Sequence, residues 1–211
     1  MLFRSVSNSN KLDVVKKVAC ITYTNVGTDT ITSRLDIGND VVEVCTIHSF
    51  LYANVVKPYI HLVSKDFGLK LDDLVVIDDS NFKSEGTAAI VLKRIGKSWL
   101  DAKIYLKGLT KAMWRYENHE YKHYKPNYPQ TYELKSGKRY VGNDWYMEFK
   151  RWLWSGGYMS FDDILYFSYI LLSRYSNIFK LIKARYPYIF VDEFQDTIPF
   201  EIGRASCRER V

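Results

Sequence analysis

Three cysteines in 211 residues are too few for a disulfide framework. Cys20 and Cys45 fall inside apolar, strand-like runs, which predicts buried free thiols in a reducing cytosol; Cys207 lies in an atypical C-terminal stretch. No secretory leader or membrane-spanning run is visible, so the expectation is a soluble, cytoplasmic protein with no membrane partner. The chain also lacks internal repeats, low-complexity tracts and any Ser/His/Asp grouping suited to nucleophilic catalysis.

What the chain does have is apolar content, at 47%, enough for one large domain or two small ones. Its net charge of +6 is spread unevenly. Lys93 to Trp152 holds 14 Lys/Arg against 6 Asp/Glu, while the stretch before it, with Asp66, Asp72, Asp73, Asp78, Asp79 and Glu85, is acidic. Aromatics interleave the basic stretch at Trp99, Tyr105, Trp114, Tyr116, Tyr121, Tyr124 and Tyr128. Cations that track a backbone and rings that stack on bases are the ingredients of single-strand binding, although a solvated basic face over an aromatic core has the same composition. Ile95, Trp99, Ala102, Leu106, Leu109 and Met113 recur at steps of four and three, predicting a helix through Ile90 to Tyr116. Pro126, Pro129, Gly137 and Gly142 mark turns around a short hairpin, Thr131 to Leu134 with Arg139 to Val141.

The sharpest signal lies near the C-terminus. Tyr188, Ile189, Phe190 and Val191 form an apolar run that ends in Asp192 and Glu193. This pattern reads as a buried parallel strand with two carboxylates at its C-terminal tip, where ligands bind in open α/β sheets. One carboxylate there can hold a Mg²⁺ that bridges nucleotide phosphates while its neighbour orients or deprotonates a water. The longer string Asp192-Glu193-Phe194-Gln195-Asp196-Thr197 resembles the Walker B box of the UvrD/Rep/PcrA helicases of superfamily 1.

Two further segments are similar to the same family, in the same order. Val18 to Tyr23 reads as a strand followed by Thr24-Asn25, which resembles motif Ia. Val41 to Cys45 runs into Thr46-Ile47-His48-Ser49-Phe50, which resembles motif Ib. The resemblance implies that Tyr23, Thr24, Asn25, Thr46, His48, Ser49 and Phe50 line a single-stranded DNA track, with hydroxyl and amide groups on phosphates and Tyr23 and Phe50 as stacking faces. Val26-Gly27-Thr28 departs from the family's usual Lys-Ala-Ala and is expected to delay the following helix. Ser160, an N-cap, and Asp163, at the capping-box position, open a helix whose Ile164 to Leu172 stretch is apolar nearly all round and hence buried.

The Gly-x-x-Gly-x-Gly-Lys-Thr loop that cradles phosphates occurs nowhere in the sequence, and nothing after Thr197 resembles later helicase motifs. The expectation is therefore an N-terminal fragment of the helicase, itself inactive as an ATPase, with Met1 an internal start. Ile202 to Val211 can be encoded by a string resembling a short-read sequencing adapter and is read as an artefact.

The resemblance implies an α/β fold: part of a RecA-like P-loop NTPase domain, a parallel sheet with flanking helices, interrupted by a mostly helical insertion (1B). The expected boundaries are 1–58 and 158–201 for the RecA-like parts, 59–157 for the insertion and 202–211 for the artefact. It further implies ATP and Mg²⁺ as cofactors, and 3′ to 5′ translocation on single-stranded or partly duplex DNA. Asp192 would hold the metal, Glu193 would activate water, and Gln195 with Asp196 would link the nucleotide to the DNA. Repair, replication restart, recombination and phage defence all use such a core.

Two other readings stand beside this one. His119-Glu120-Tyr121-Lys122-His123 matches H-E-x-x-H, the helix motif of zinc metallopeptidases. Lys122 beside a dication and Pro126 just beyond both disfavour it, and a polar turn of helix is the expected alternative. The other is a nucleic-acid-binding module without catalysis.

Overall fold

The computed structural model describes residues 15–35, 41–111, 113–117, 120–124, 135–136, 139–140 and 145–192. In chain order its elements begin with β1 (Val18–Thr22), α1 (Asn25–Arg34), β2 (Val42–Thr46), α2 (Ile47–Leu51), β3 (Val75–Ile77), α3 (Glu85–Arg94) and α4 (Ala102–Lys111). They continue with β4 (Met113–Glu117), β5 (Glu120–Tyr124), β6 (Lys135–Ser136), β7 (Arg139–Tyr140) and α5 (Trp145–Ser155). The last are β8 (Tyr158–Ser160), α6 (Phe161–Arg174), α7 (Ser176–Arg185) and β9 (Tyr188–Val191). This is a mixed α/β architecture of parallel sheets and flanking helices, as expected of a partial RecA-like domain. The chain divides into two compact units, residues 1–63 with 162–211, and residues 64–161.

The first unit is built on a parallel sheet in the order β2-β1-β9. Every residue of β1 is buried, as a central strand of Val, Ala, Cys and Ile requires. β1 pairs in register with β2, from Val18↔Val42 to Thr22↔Thr46, and with β9, from Val18↔Tyr188 to Ile21↔Val191. β9 is less enclosed than an all-apolar strand suggests, with Ile189 at 41% exposure. Val18, Cys20 and Val42 form the sheet's core, packed by Ile31, Leu35, Tyr188 and Phe190. Along α6 no residue from Ile164 to Leu172 is exposed, as its apolar sequence predicts.

The second unit has its own apolar core, in which Leu92, Leu100, Tyr105, Leu109, Phe149 and Leu153 are buried together. Ile95, Trp99, Ala102 and Leu106, part of the stripe read from the sequence, pack against it. The continuous helix expected there is wrong, however. Gly96 takes φ +68, its N–H donates to the Lys93 carbonyl at 3.1 Å and that of Lys97 to Leu92 at 2.8 Å. This pair of bonds around a left-handed glycine is a Schellman stop. A new helix then starts where the Asp101 carboxylate accepts from the Lys103 N–H at 2.7 Å. Periodicity survives such a break because both helices turn their apolar residues to one core. Met113 to Tyr116, at the end of the expected helix, belongs to β4, which pairs antiparallel with β5. Of the expected hairpin, Arg139–Tyr140 is a strand and pairs antiparallel with Lys135–Ser136, while Thr131 to Leu134 and Val141 lie outside the described residues.

One charged cluster sits inside this unit. Lys150 is 1% exposed, yet its ammonium donates to Asp79 Oδ2 at 2.8 Å and to the Ser160 hydroxyl at 2.7 Å. Lys83 reaches the other oxygen of Asp79 at 3.0 Å, and the Tyr146 ring centroid lies 6.0 Å from the Lys150 nitrogen. A buried ammonium is tolerable only with such partners. Burial works to raise the Asp79 carboxyl, but Lys150 and Lys83 outweigh it and hold it below its ordinary value. The Ser160 hydroxyl, expected as a helix cap, is thus committed in part to a lysine from α5.

Candidate functional site

The parallel register brings three strand ends to one edge of the sheet. Thr22 closes β1 beside Thr46 of β2, and the Asp192 N–H donates to the Ile21 carbonyl at 2.8 Å, extending the ladder past β9. The segments singled out in the sequence, Tyr23 to Asn25, Thr46 to Phe50 and Asp192, therefore share the carboxyl edge, where ligands of open α/β sheets bind.

Each of the first two tips turns directly into a helix, with a threonine as the hinge. The Thr24 hydroxyl accepts from the Gly27 N–H at 3.1 Å and caps α1. The helix therefore begins at Asn25 and is not delayed by Val26-Gly27-Thr28, contrary to the expectation. Gly27 is the reason the turn closes tightly. A Cβ at that position would stand 3.0 Å from the Thr22 hydroxyl oxygen and 3.1 Å from Thr22 Cβ. Thr46 repeats the device on α2, accepting from the Ser49 N–H at 3.3 Å and donating to the Ser49 hydroxyl at 3.0 Å.

The expected track residues separate by exposure. Tyr23, at 42%, is exposed, as are Thr24, Asn25 and Ser49, while Thr46 and His48 are half-buried. Tyr23 and His48 meet edge to face, ring centroids 6.2 Å apart, so the β1 tip and α2 touch through their aromatic side chains. Burial pushes the His48 imidazole below its ordinary value, against the opposing pull of the Asp162 carboxylate at the start of α6. Phe50 differs from the expectation. It is only 4% exposed and packs edge to face on Tyr186 at 5.2 Å, so its ring belongs to the interior and offers no stacking face. The helical turn carrying His48 and Ser49 outward necessarily carries Phe50 inward.

Asp192 is exposed at the tip of β9, which leaves its carboxylate available as a hard oxygen donor of the kind Mg²⁺ takes. Glu193, Gln195 and Asp196 lie outside the described residues, as do Ile202 to Val211. Cys20 and Cys45 are free thiols, the first buried and the second half-buried. Burial raises Cys20 to about 11 and, with Glu43 and Cys20 adding to it, Cys45 to about 12, so neither is a thiolate at neutral pH.

The H-E-x-x-H segment is not helical. Glu120 to Tyr124 is strand β5, so the segment does not form the helical turn on which an i, i+4 pair of zinc ligands is built. His119 lies outside the described residues. Among the described residues no group of three or more His, Cys, Asp or Glu side chains could hold a metal ion, and no helix is long and apolar enough to cross a membrane.

Sequence reasoning missed two residues with structural leverage, Lys150 and Tyr186. A signal for the first existed. Tyr146, Phe149, Leu153 and Trp154 form a helical stripe, and Lys150 falls within it.

A search of curated proteins found no match. The family of the UvrD/REP helicase N-terminal domain matches residues 7–202, a span that includes all three strand tips and the residues between them. On that match, which covers nearly the whole sequence, the chain belongs to the UvrD/REP helicase N-terminal domain family.

Proposed function

We propose that this chain is part of an ATP-dependent DNA helicase that couples nucleotide hydrolysis to 3′ to 5′ movement along single-stranded DNA. The observation that carries the reading is the convergence of the Tyr23–Asn25, Thr46–Ser49 and Asp192 segments on the carboxyl edge of one parallel sheet. A sheet edge of this kind can hold a strand of nucleic acid and a nucleotide phosphate as neighbours, so a change at one is felt at the other through β1 and β9.

In this reading Tyr23 supplies a base-stacking face, and Thr24, Asn25, Thr46, His48 and Ser49 supply hydrogen bonds to the phosphate backbone. Phe50 supports the turn from beneath. Asp192 would be a Mg²⁺ ligand, with Glu193 holding and deprotonating the attacking water and Gln195 and Asp196 linking the two sites. The Mg²⁺–nucleotide, when bound, supplies charge neutralisation at the transferring phosphoryl group. Residues 1–58 and 158–201 would be the RecA-like parts and 59–157 the 1B insertion, whose basic stretch adds a second nucleic-acid surface. The 211-residue polypeptide, which has no Gly-x-Gly-Lys-Thr loop, would bind single-stranded DNA without turning over ATP.

Fluorescence anisotropy with a labelled oligo-dT tests this. The chain should bind with an affinity that falls steeply with salt. Tyr23→Ala should weaken binding by about 1–3 kcal/mol, the worth of one stacked base, in a chain that stays folded by circular dichroism. Binding that is absent at low salt, or indifferent to Tyr23, would refute the track assignment.

A further inference from the structure

Tyr186 stands two positions before β9, and its side chain does more than fill space. The residue is 1% exposed, so its hydroxyl must find a protein partner. It finds two acceptors, Glu43 Oε2 on β2 at 2.7 Å and Asn54 Oδ1 at 3.2 Å. A phenol has one hydrogen, which can serve only one of them at a time. The Asn54 amide is oriented by its other end, whose Nδ2 donates to the Phe50 carbonyl at 3.0 Å. Burial and the neighbouring Glu43 raise the phenol well above its ordinary range, against the Arg185 charge, so it keeps its hydrogen at working pH. The Arg185 guanidinium carbon lies 5.3 Å from the ring centroid, and the Phe50 ring meets the same side chain edge to face at 5.2 Å.

The local backbone makes Asn54 and Phe50 informative. After α2 the helix loosens to π spacing over Tyr52–Val56, with the Lys57 N–H reaching the Tyr52 carbonyl five residues back. Single π turns are uncommon overall but frequent at functional sites. Here the Asn54 side chain adds a donor to the Phe50 carbonyl where the helix changes pitch. Tyr186 therefore touches the turn that carries His48 and Ser49 twice, through Asn54 and through the Phe50 ring. It also touches β2 through Glu43, and it is joined by chain to β9 and Asp192.

We infer that Tyr186 is a positioning residue for the nucleic-acid-facing turn Thr46–Leu51, tying its orientation to the root of the strand that carries Asp192. The juxtaposition is independent of function; its consequence for binding rests on the reading proposed above.

The test uses the full 211-residue chain with Tyr186→Phe, which keeps the ring and removes the hydroxyl. The first readout is the His48 imidazole titration by NMR, assigned by its loss in His48→Ala. Tyr186→Phe should move the His48 midpoint up toward its ordinary value as the turn loosens. The second is oligo-dT anisotropy. Tyr186→Phe should weaken binding about threefold to tenfold, the range expected for one lost hydrogen bond, and should have no further effect in a His48→Ala/Ser49→Ala background. If Tyr186→Phe fails to fold by circular dichroism, Asn54→Ala interrupts the same chain of contacts and should give the same two results. A lower melting temperature with an unmoved His48 midpoint would overturn the inference, as would an equal loss of binding in both backgrounds. If the wild-type chain binds no oligonucleotide, the helicase reading fails, and the His48 titration alone decides the positioning role.

Discussion

The two units of this chain solve the problem of a buried polar group in opposite ways. In the first, Tyr186 is neutral and contacts Glu43 and Asn54, and Thr24, Asn25, Ser49 and Asp192 beyond the strand tips stay at the surface. In the second, a lysine at 1% exposure is held by a carboxylate and a hydroxyl. The helicase-like strand-tip motifs belong to the first unit, whereas the buried lysine belongs to the second. Motifs mark where solvent-facing chemistry is done; a buried ion pair marks where one packing arrangement is enforced, and it leaves no word behind.

That contrast can be broken experimentally, beginning with the largest effect. Lys150→Met should cost about 3 kcal/mol in urea unfolding, because Asp79 and Ser160 lose a buried partner. Replacing both partners, as Lys150→Met with Asp79→Leu, should recover most of that loss, since two well-packed apolar side chains need no compensation. If the double variant is as unstable as the single one, the ion pair is not the source of the cost. The pH dependence has a definite sign. The Asp79 carboxyl is held below its ordinary value of 3.8, so its contribution is complete above that pH and is lost as pH falls through the depressed value. Acid titration of wild type and Asp79→Asn should diverge in that window and run parallel from pH 5 to 8.

Gly27→Ala tests the first unit with a smaller effect. Alanine gains helix propensity at this position, about 1 kcal/mol, but its Cβ would stand 3.0 Å from the buried Thr22 side chain. Overpacking costs about 1–3 kcal/mol, so thermal melts should show a net loss of about 1 kcal/mol. A stabilised variant would mean that the cap has room and that Gly27 is not what closes the turn.

The smallest effect concerns His48. Burial holds its imidazole below 6.5, so it is neutral at pH 7 and gains a charge only as the pH falls past that depressed value. A charged imidazole beside a phosphate favours binding, so oligo-dT affinity should rise severalfold on acidification through that range. His48→Gln should flatten the rise. An identical pH profile in both proteins would remove His48 from the track.

How much was legible in the sequence follows the same division. β1, β2 and β9 were read to within a residue or so because each is a short apolar run closed by polar tip residues. Their convergence was implied by family resemblance, not by the runs themselves. The apolar stripe through Ile95, Trp99, Ala102 and Leu106 was read correctly, but the glycine stop inside it was overlooked, since periodicity continues across a kink between two helices facing one core. The H-E-x-x-H string illustrates the reverse error, a helix motif of which Glu120 to His123 lie in a strand.

By itself the sequence determined what depends on neighbours along the chain. Thr24 and Thr46 cap the helices that follow them, Gly96 and Asp101 end one helix and begin the next, and Val191 gives way to Asp192 at a strand tip. Only the tertiary structure decided that Lys150 would meet Asp79, and that Tyr186 would meet Glu43 and Asn54. Those partners are distant in sequence, and a polar atom's partner, once water is excluded, is chosen by whatever the packing of the whole unit brings within about 3 Å.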